Sequence, residues 1–341
     1  MPFKISIEPG EKVFPANADQ SILEAALGAG LVFPYGCRDG ACGSCKGLVV
    51  SGEVSLGPVA ESALSPDERA RGLTLFCRAQ PRSDLVIRPR TVSAAGDLPI
   101  KKLPCRVQSL SLAAPDVMIV KVKLPASEPF RFKAGQYIDF LLGDGRRRSF
   151  SIANGPVNAD HLELHIRRVD NGQFTRHVFE QMKERDILRF EGPLGTFYLR
   201  DETSKPVILL AGGTGFAPLK GIVEAAIDAN SSRRFILYWG ARDRSGLYMH
   251  ERAQRWASEI PGFEYIPVLS DAADDHEWTG RRGLVHAAVV ADHPDLTGYE
   301  VYACGAPAMI DAARNDFTRQ CGLADDAFFS DAFTFASDTT S

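Results

Sequence analysis

The sequence predicts a multidomain chain that joins an α+β part to an α/β part. Three observations support this. Four cysteines with short spacing lie in a small β-rich segment, alternating apolar residues mark short strands in the middle, and a strand, a glycine loop and a helix open the last third. With 341 residues, 45% of them apolar, the chain is long enough for two or three cores. We predict domains at 1–92, 102–201 and 205–335, with a linker at 93–101 and a tail at 336–341.

The composition narrows the functions that the chain can serve. Its formal net charge is -4 and it has no basic tail, which argues against nucleic-acid binding. No run approaches the ~18 apolar residues that span a bilayer, and the first residues lack a signal-peptide core, so we expect no membrane partner. Seven cysteines, an odd number, fit a reducing compartment better than a set of disulfides. We therefore expect a cytoplasmic protein.

The cysteine pattern is the strongest chemical signal in the sequence. Cys37, Cys42 and Cys45 follow the spacing C-x4-C-x2-C, and Cys77 lies further along the chain. This is the ligand spacing of a plant-type [2Fe-2S] cluster, and the small residues between the thiols let a loop close over an inorganic core. Zinc is the alternative, but zinc sites usually pair two short motifs, and Cys77 has no second thiol or histidine beside it. We predict that these four cysteines bind a [2Fe-2S] cluster.

The segment around these cysteines reads as a small β-rich domain. Apolar residues at 5–13 predict a hairpin, 21–27 predict a helix, and 48–50 predict a further strand. Ser65-Pro-Asp-Glu68 is a capping box with proline at the first helical position, so a short helix should run to about Gly72. From its ligand motif and size, this segment resembles the plant-type ferredoxins. The resemblance implies a β-grasp fold with the cluster near the surface.

The middle segment predicts an antiparallel β-barrel. Before it, residues 93–101 are small and polar, as in a linker. Apolar residues then recur in short runs separated by turn residues, and one helical stretch follows at 175–182. The runs lie at 120–124, 137–142, 150–152, 162–166 and 187–190.

Within the predicted barrel, Arg148-Ser-Phe-Ser151 resembles the R-x-Y-S motif of the ferredoxin-NADP reductase superfamily, with Phe150 in place of Tyr. The resemblance implies a flavin site. Arg148 would bind a pyrophosphate, Phe150 would stack on the isoalloxazine, and the Ser151 hydroxyl would bond flavin N5. Taken alone, the four residues also fit an edge strand after a solvated basic hairpin. The stretches 162–167 and 171–175 follow at the separation that the superfamily shows.

The same resemblance implies the remaining flavin contacts. His165 and Ile166 would face the ring system through backbone groups, and a loop that opens a helix would hold the diphosphate. Superfamily members with an N-terminal ferredoxin domain carry FAD, so the order of domains favours FAD over FMN. The flavin-site residues are Arg148, Ser149, Phe150, Ser151, His165, Ile166, Gly172, Gln173 and Thr175.

The last segment predicts a doubly wound parallel sheet. The apolar strand 207–210 leads into Ala211-Gly-Gly-Thr-Gly-Phe-Ala-Pro218, and apolar residues at helical spacing follow. A strand, a glycine loop and a helix N-terminus present backbone N–H groups to a pyrophosphate. The loop resembles the G-G-T-G-x-A-P loop of the same superfamily, which implies NAD(P)H binding. Its predicted contacts are Gly213, Thr214, Gly215 and Pro218.

Arg242, after the strand 235–240, bears on the choice of nicotinamide cofactor. It could bind a 2′-phosphate or be a solvated loop charge, and no acidic residue at the strand's tip is placed to bind a ribose 2′-hydroxyl. The surrounding Tyr-Trp-Gly-Ala-Arg pattern resembles NADH-using members. We therefore expect NADH, with NADPH possible.

Two more stretches complete the predicted site. Cys304, Gly305 and Met309 follow a strand, and in the superfamily this cysteine position abuts the nicotinamide, although a buried structural cysteine is the alternative. Asp331 lies two residues before an aromatic, where relatives have an acidic residue. The resemblance implies catalytic roles for Ser151, Cys304 and Asp331.

These parts predict an electron-transfer enzyme. A nicotinamide gives up a hydride, whereas an iron–sulfur cluster takes one electron at a time, so a flavin must lie between them. We predict an NADH-preferring iron–sulfur flavoprotein reductase that passes hydride to FAD, then single electrons to the cluster and on to a partner metallo-oxygenase. An alternative is a reductase for a CDP-deoxysugar dehydratase, of the CDP-6-deoxy-glucoseen reductase type. A third is a redox-sensing interaction protein.

Overall fold

The computed structural model describes residues 2–61, 63–94, 98–157, 160–272 and 275–333. The chain forms two compact units, Met1–Pro99 and Ile100–Ser341. Part of the predicted linker, 95–97, and the whole predicted tail lie outside the described residues. No helix in the described parts of the chain is long and apolar enough to cross a membrane.

The described part of the first unit contains a five-stranded mixed sheet with order β2-β1-β8-β4-β6, the two-stranded sheets β3-β9 and β5-β7, and two short helices. β1 pairs antiparallel with β2 and parallel with β8, the mixed arrangement of a β-grasp sheet. The elements are β1 Phe3–Ile7, β2 Val13–Ala16, α1 Ile22–Gly28, β3 Leu31–Val32, β4 Lys46–Ser51, β5 Val54–Leu56, α2 Pro66–Ala70, β6 Leu73–Leu75, β7 Ala79–Pro81, β8 Leu85–Pro89 and β9 Ser93–Ala94.

Both helices of this unit begin at capping boxes. Ser21 and Ser65 each accept a hydrogen bond from the backbone N–H three residues on, and the glutamate there reaches back to the cap. The helix predicted from Ser65 is therefore confirmed, and so are the hairpin and the first helix. β9 pairs with β3, so the first residues of the predicted linker join a small sheet in this unit. The boundaries of the three domains stay a prediction.

The second unit contains an antiparallel barrel and a parallel sheet. The barrel strands have the order β13-β12-β15-β10-β11-β14, and a core of apolar side chains fills the inside. The elements are β10 Lys101–Ala114, β11 Val117–Lys123, β12 Tyr137–Leu141, β13 Arg147–Ser151, β14 His161–Arg167, α3 Gln173–Glu180 and β15 Ile187–Leu194. The antiparallel barrel predicted from the alternating residues is confirmed.

The barrel closes at one point. β13 and β14 are the two ends of the strand order, and a single antiparallel bridge, between Ile152 and Leu164, connects them. Counting outward from this bridge, residues 148–151 lie opposite residues 165–168. These described residues do not pair with each other as neighbouring strands. We call residues 148–151 and 165–167 the barrel seam.

The nucleotide domain is a six-stranded parallel sheet with order β19-β18-β17-β16-β20-β21. β16 lies in the middle and is almost wholly buried, which explains its continuous apolar sequence. Its elements are β16 Val207–Gly212, α4 Phe216–Asp228, β17 Phe235–Ala241, α5 His250–Glu259, β18 Phe263–Leu269, β19 Arg281–Arg282, α6 Val285–Asp292, β20 Glu300–Gly305, α7 Pro307–Arg319 and β21 Phe328–Ala332. The predicted doubly wound sheet is confirmed.

The barrel and the nucleotide domain share packing. Ala134 and Phe197 come from the barrel part of the sequence, yet they pack in the core of the nucleotide domain. Gly221 of α4 lies so close to the barrel that a Cβ there would stand 3.1 Å from the carbonyl oxygens of Ile152 and Asn154. A larger residue would push the helix away from the barrel.

Candidate active site

The four predicted cluster ligands lie together as two pairs. The Cys37 backbone N–H donates to Cys42 Sγ over 3.4 Å, and a thiol hydrogen bond between the same residues raises the pKa of Cys37 and lowers that of Cys42 to about 6. A second hydrogen bond, with Cys45, raises the pKa of Cys77. The charges of Cys37 and Cys42 act on Cys77 as well, so both pairs belong to one site.

The geometry of the cysteine loop fits a two-iron core. Gly40 and Gly43 have φ of +88° and +72°, and a Cβ at Gly40 would stand 2.9 Å from both the Arg78 side chain and the Pro58 carbonyl. In the described chain, no three thiol, imidazole or carboxylate groups converge as they would on a single metal ion. Two pairs of thiols are what a [2Fe-2S] cluster requires, because its four cysteine ligands are shared between two irons.

The predicted flavin motif lies on the barrel seam. Ser151 is buried, Arg148 and Phe150 are half-buried, and Ser149 donates a 2.6 Å hydrogen bond from its hydroxyl to Asp139. The ring of Phe150 packs at 5.9 Å from Phe140 and at 5.6 Å from Phe174. Phe150, the aromatic residue of the motif, is therefore held in place by packing against other aromatic rings.

The residues predicted to bind the diphosphate lie at the start of α3. Gly172 is its N-cap and makes no side-chain capping hydrogen bond. The N-terminus of a helix presents backbone N–H groups that can bind an anion. The Thr175 hydroxyl instead contacts the loop before the helix, donating to the Gly172 carbonyl over 3.2 Å. Arg146 donates to the Gln173 side chain over 2.7 Å, which brings a positive charge to this helix end.

The glycine loop after β16 requires its small residues. Gly213 to Gly215 form a 3₁₀ turn that leads directly into α4, with Pro218 in the first helical turn. A Cβ on Gly215 would overlap the Cys304 carbonyl. Gly213 has φ +53°, and a Cβ there would stand 2.6 Å from the Arg167 guanidinium. Arg167 belongs to the barrel seam, so the seam and the nucleotide loop are in contact.

Cys304 and Asp331 are neighbours on adjacent parallel strands. They occupy the same register position of β20 and β21, and both are buried. Burial, followed by the charge of Asp331, raises the pKa of Cys304 well above its usual value, which keeps it a neutral thiol. The Met309 side chain covers Gly212 and Gly305, because a Cβ on Gly212 would stand 2.7 Å from its sulfur. Cys304, Gly305 and Met309 thus meet the glycine loop at the carboxyl edge of the sheet.

Arg242 lies just beyond β17 and is open to solvent, with 84% of its side chain exposed. Its guanidinium lies 3.4 Å from Asp271, whose side chain is also exposed. Asp243 is occupied locally, since its carboxylate caps the next turn by accepting from Ser245 and Gly246.

Comparison with known proteins agrees with these three parts. Three family models match: a 2Fe-2S iron-sulfur cluster binding domain at 5–82, an oxidoreductase FAD-binding domain at 104–198 and an oxidoreductase NAD-binding domain at 209–315. The CDP-6-deoxy-L-threo-D-glycero-4-hexulose-3-dehydrase reductase of Yersinia pseudotuberculosis is 41% identical over 98% of this chain and 99% of its own length. The chain belongs to the ferredoxin-NADP reductase superfamily, in the branch that carries an N-terminal [2Fe-2S] domain.

Other members of this superfamily are similar over the whole chain. A terephthalate 1,2-dioxygenase reductase component from Comamonas is 34% identical over 98% of both chains. The crystal structure of the Amycolatopsis cytochrome P450 reductase GcoB has a TM-score of 0.81 and 36% identity, covering 98% of this chain and all of that one. As a member of this superfamily, the present reductase is an oxidoreductase with [2Fe-2S], FAD and NAD(P) sites.

One group of buried polar residues was missed from the sequence. His165 was predicted to act through its backbone, but its side chain is fully buried and contacts Glu163 over 3.0 Å and Tyr248 over 2.8 Å. Lys220, buried in α4, lies 3.0 Å from the same Glu163. The sequence signal for this group was Lys220 and Glu224 at i, i+4 on an apolar helix. This pattern is equally typical of an exposed ion pair.

Proposed function

We propose that this reductase takes hydride from NADH and delivers single electrons through its [2Fe-2S] cluster to a partner metallo-oxygenase. When bound, FAD supplies the conversion of a two-electron hydride into single electrons that a cluster can accept. The observation that carries the proposal is the contact of Arg167 with Gly213, because it brings the barrel seam to the nucleotide loop. A nicotinamide at the loop and a flavin at the seam would then be neighbours.

We assign the following roles to the residues of the site. The Arg148 guanidinium and the start of α3 would bind the flavin phosphates, and the Ser151 hydroxyl would donate to the flavin edge. Phe150, supported by Phe140 and Phe174, provides an apolar stacking surface. Cys304 would lie beside the nicotinamide as a neutral thiol, and Asp331 would hold a negative charge next to it.

The pairing of Arg242 with Asp271 supports the preference for NADH. A 2′-phosphate would have to approach an arginine whose charge is already offset by a carboxylate at 3.4 Å. We expect kcat/KM for NADH to exceed that for NADPH by roughly two- to fivefold, the effect that an exposed ion pair can supply. Asp271→Asn should narrow this ratio because it leaves Arg242 free to meet the phosphate, and a ratio that favours NADPH in the parent protein would contradict the proposal.

The partner can be tested by reconstitution. Anaerobic protein reduced with NADH is mixed with an oxygenase component or with a CDP-hexulose dehydratase, and oxidation of the reductase is followed by absorbance. The dehydratase is the second candidate, because a relative whose name denotes that system is 41% identical over 98% of this chain. Fast turnover with cytochrome c would in addition exclude the redox-sensing function.

We also propose that the protein works in the cytoplasm. None of the seven cysteines forms a disulfide in the described chain, and the four at the cluster site would need a reducing environment before a cluster is inserted. Fractionation of the source cell tests this, because recovery outside the cytoplasm would contradict it.

A further inference from the structure

A chain of buried polar groups crosses from the barrel to the nucleotide domain. It starts at Tyr248, passes through His165 and Glu163 of β14, and reaches Lys220 of α4. Lys220 is only 3% exposed at its side chain and also binds Glu224 at 2.8 Å and the Ala153 carbonyl at 2.9 Å. The groups that make the chain therefore come from both sides of the junction.

The direction of the hydrogen bonds in this chain is fixed by chemistry. A carboxylate can only accept a hydrogen bond, so Nε2 of His165 carries a hydrogen and donates the hydrogen bond to Glu163. A neutral imidazole then leaves Nδ1 as an acceptor, and the Tyr248 hydroxyl must donate to it. Burial lowers the pKa of His165, which favours this neutral form.

At the Tyr248 end, the chain of polar groups reaches the nucleotide loop through aromatic rings. Tyr248 packs edge-on against Trp239 at 5.3 Å, and Trp239 stacks on Phe216 at 3.9 Å. The Trp239 indole N–H donates to the Gly213 carbonyl over 3.0 Å. A displacement of Tyr248 would therefore displace Trp239 and, through it, the glycine loop.

His165, in the middle of the chain of polar groups, lies on the barrel seam. The backbone of His165 belongs to the edge predicted to face the flavin, while its side chain points into the junction. An apolar junction would be no less stable, since burying charges is costly even when they are paired. What a hydrogen-bonded chain adds is a single relative position of the two domains, because its partners meet only in one arrangement.

We propose that Tyr248, His165, Glu163 and Lys220 are positioning residues that hold the glycine loop at a fixed place relative to the barrel seam. This inference rests on the proposed hydride transfer between nucleotide and flavin. Such a transfer is sensitive to small displacements, since reacting atoms must approach to roughly 3–3.5 Å. Loss of the chain should lower the rate of transfer without weakening the binding of either cofactor.

Tyr248→Phe is the sharpest variant, because it removes one hydroxyl and keeps the ring that packs on Trp239. Tyr265→Phe is its matched control: Tyr265 makes the same kind of hydrogen bond, to Nδ1 of His250 at 2.9 Å, between β18 and α5 of the same domain. Glu163→Gln is a second variant that keeps the shape of the chain and removes its central charge.

The first readout does not depend on activity. Backbone amide hydrogen exchange is measured by mass spectrometry on peptides that cover residues 211–218, in protein with FAD bound. We expect faster exchange in Tyr248→Phe and Glu163→Gln than in the parent or in Tyr265→Phe. Exchange in this loop that is equal in all four proteins would overturn the proposal.

The second readout separates position from binding. In anaerobic stopped-flow experiments, the limiting rate of flavin reduction by NADH should fall roughly three- to tenfold in Tyr248→Phe, as expected for one lost hydrogen bond. FAD content and the Kd for NADH should stay as in the control. A weaker Kd with an unchanged limiting rate would assign Tyr248 to binding and contradict a positioning role. Absence of flavin reduction in the parent protein would instead refute the proposed function.

Discussion

The cluster site and the flavin–nucleotide site of this reductase are built in opposite ways. Three of the four predicted cluster ligands lie in one loop, and the fourth follows β6, which pairs with β4 directly after that loop. The proposed flavin–nucleotide site instead draws on the barrel seam, the start of α3, the glycine loop and the ends of β20 and β21. A site formed by one loop can be recognised from spacing alone, whereas one assembled from distant strands depends on how the domains pack.

The largest expected effect tests whether the cluster site is independent of the other. Cys45→Ser should abolish the visible absorbance of the cluster, because it removes one of four iron ligands. NADH-dependent ferricyanide reduction by the flavin should remain. Cys105→Ser, at a buried cysteine of the barrel, is the control and should keep the cluster. Loss of the ferricyanide activity in folded Cys45→Ser protein would show that the two sites are not independent.

The next effect tests the glycine loop. Gly215→Ala should reduce NADH-dependent flavin reduction on the order of 10²-fold and destabilise the protein by about 1–3 kcal/mol, because its methyl group would overlap the Cys304 carbonyl. Gly298→Ala is the control, since a Cβ there meets nothing within 4 Å. Kinetics and thermal unfolding measure both effects. Parent-like kinetics in Gly215→Ala would mean that the loop does not bind the nucleotide.

A smaller effect tests the barrel seam. Arg148→Ala should raise the Kd for FAD roughly tenfold or more, because a charge-assisted contact to the phosphates is lost. Cluster content should not change, since the cluster belongs to the other unit. Fluorescence titration of flavin-depleted protein measures the Kd. Equal loss of flavin and cluster would count against separate sites.

The smallest effect concerns pH. Because burial lowers the pKa of His165, the folded protein keeps it neutral while the unfolded chain takes up a proton below its usual pKa of about 6.5. The free energy of unfolding should therefore fall as the pH drops below that value, by at most about 1.4 kcal/mol per pH unit for this group.

This contribution is isolated by comparing the pH dependence of stability in the parent protein with that in His165→Gln. His250 and His293, whose pKa values are also lowered by burial, are present in both proteins and cancel in the difference. Thermal unfolding between about pH 5.5 and 8 should show a steeper loss of stability in the parent protein than in His165→Gln. Identical slopes would mean that His165 is protonated in the folded state or accessible to water.

Much of the fold could be predicted because its signals are local. The serine capping boxes specify where α1 and α2 begin, alternation specifies the barrel strands, and the continuous apolar run of β16 specifies a buried parallel strand. The residue roles at the flavin and nucleotide sites stay predictions. The structure does show that Asp331 lies beside Cys304 on the neighbouring strand.

By itself, the sequence determined the cysteine spacing, the glycine loop and the order of the three domains, because each depends on residues close together in the chain. Only the tertiary structure decided that Lys220 is buried and that His165 bonds Tyr248, 83 residues away in sequence. The reason is physical: a lysine on a helix has the same local pattern whether its ammonium meets water or a buried carboxylate. Only the packing of a second domain removes the water.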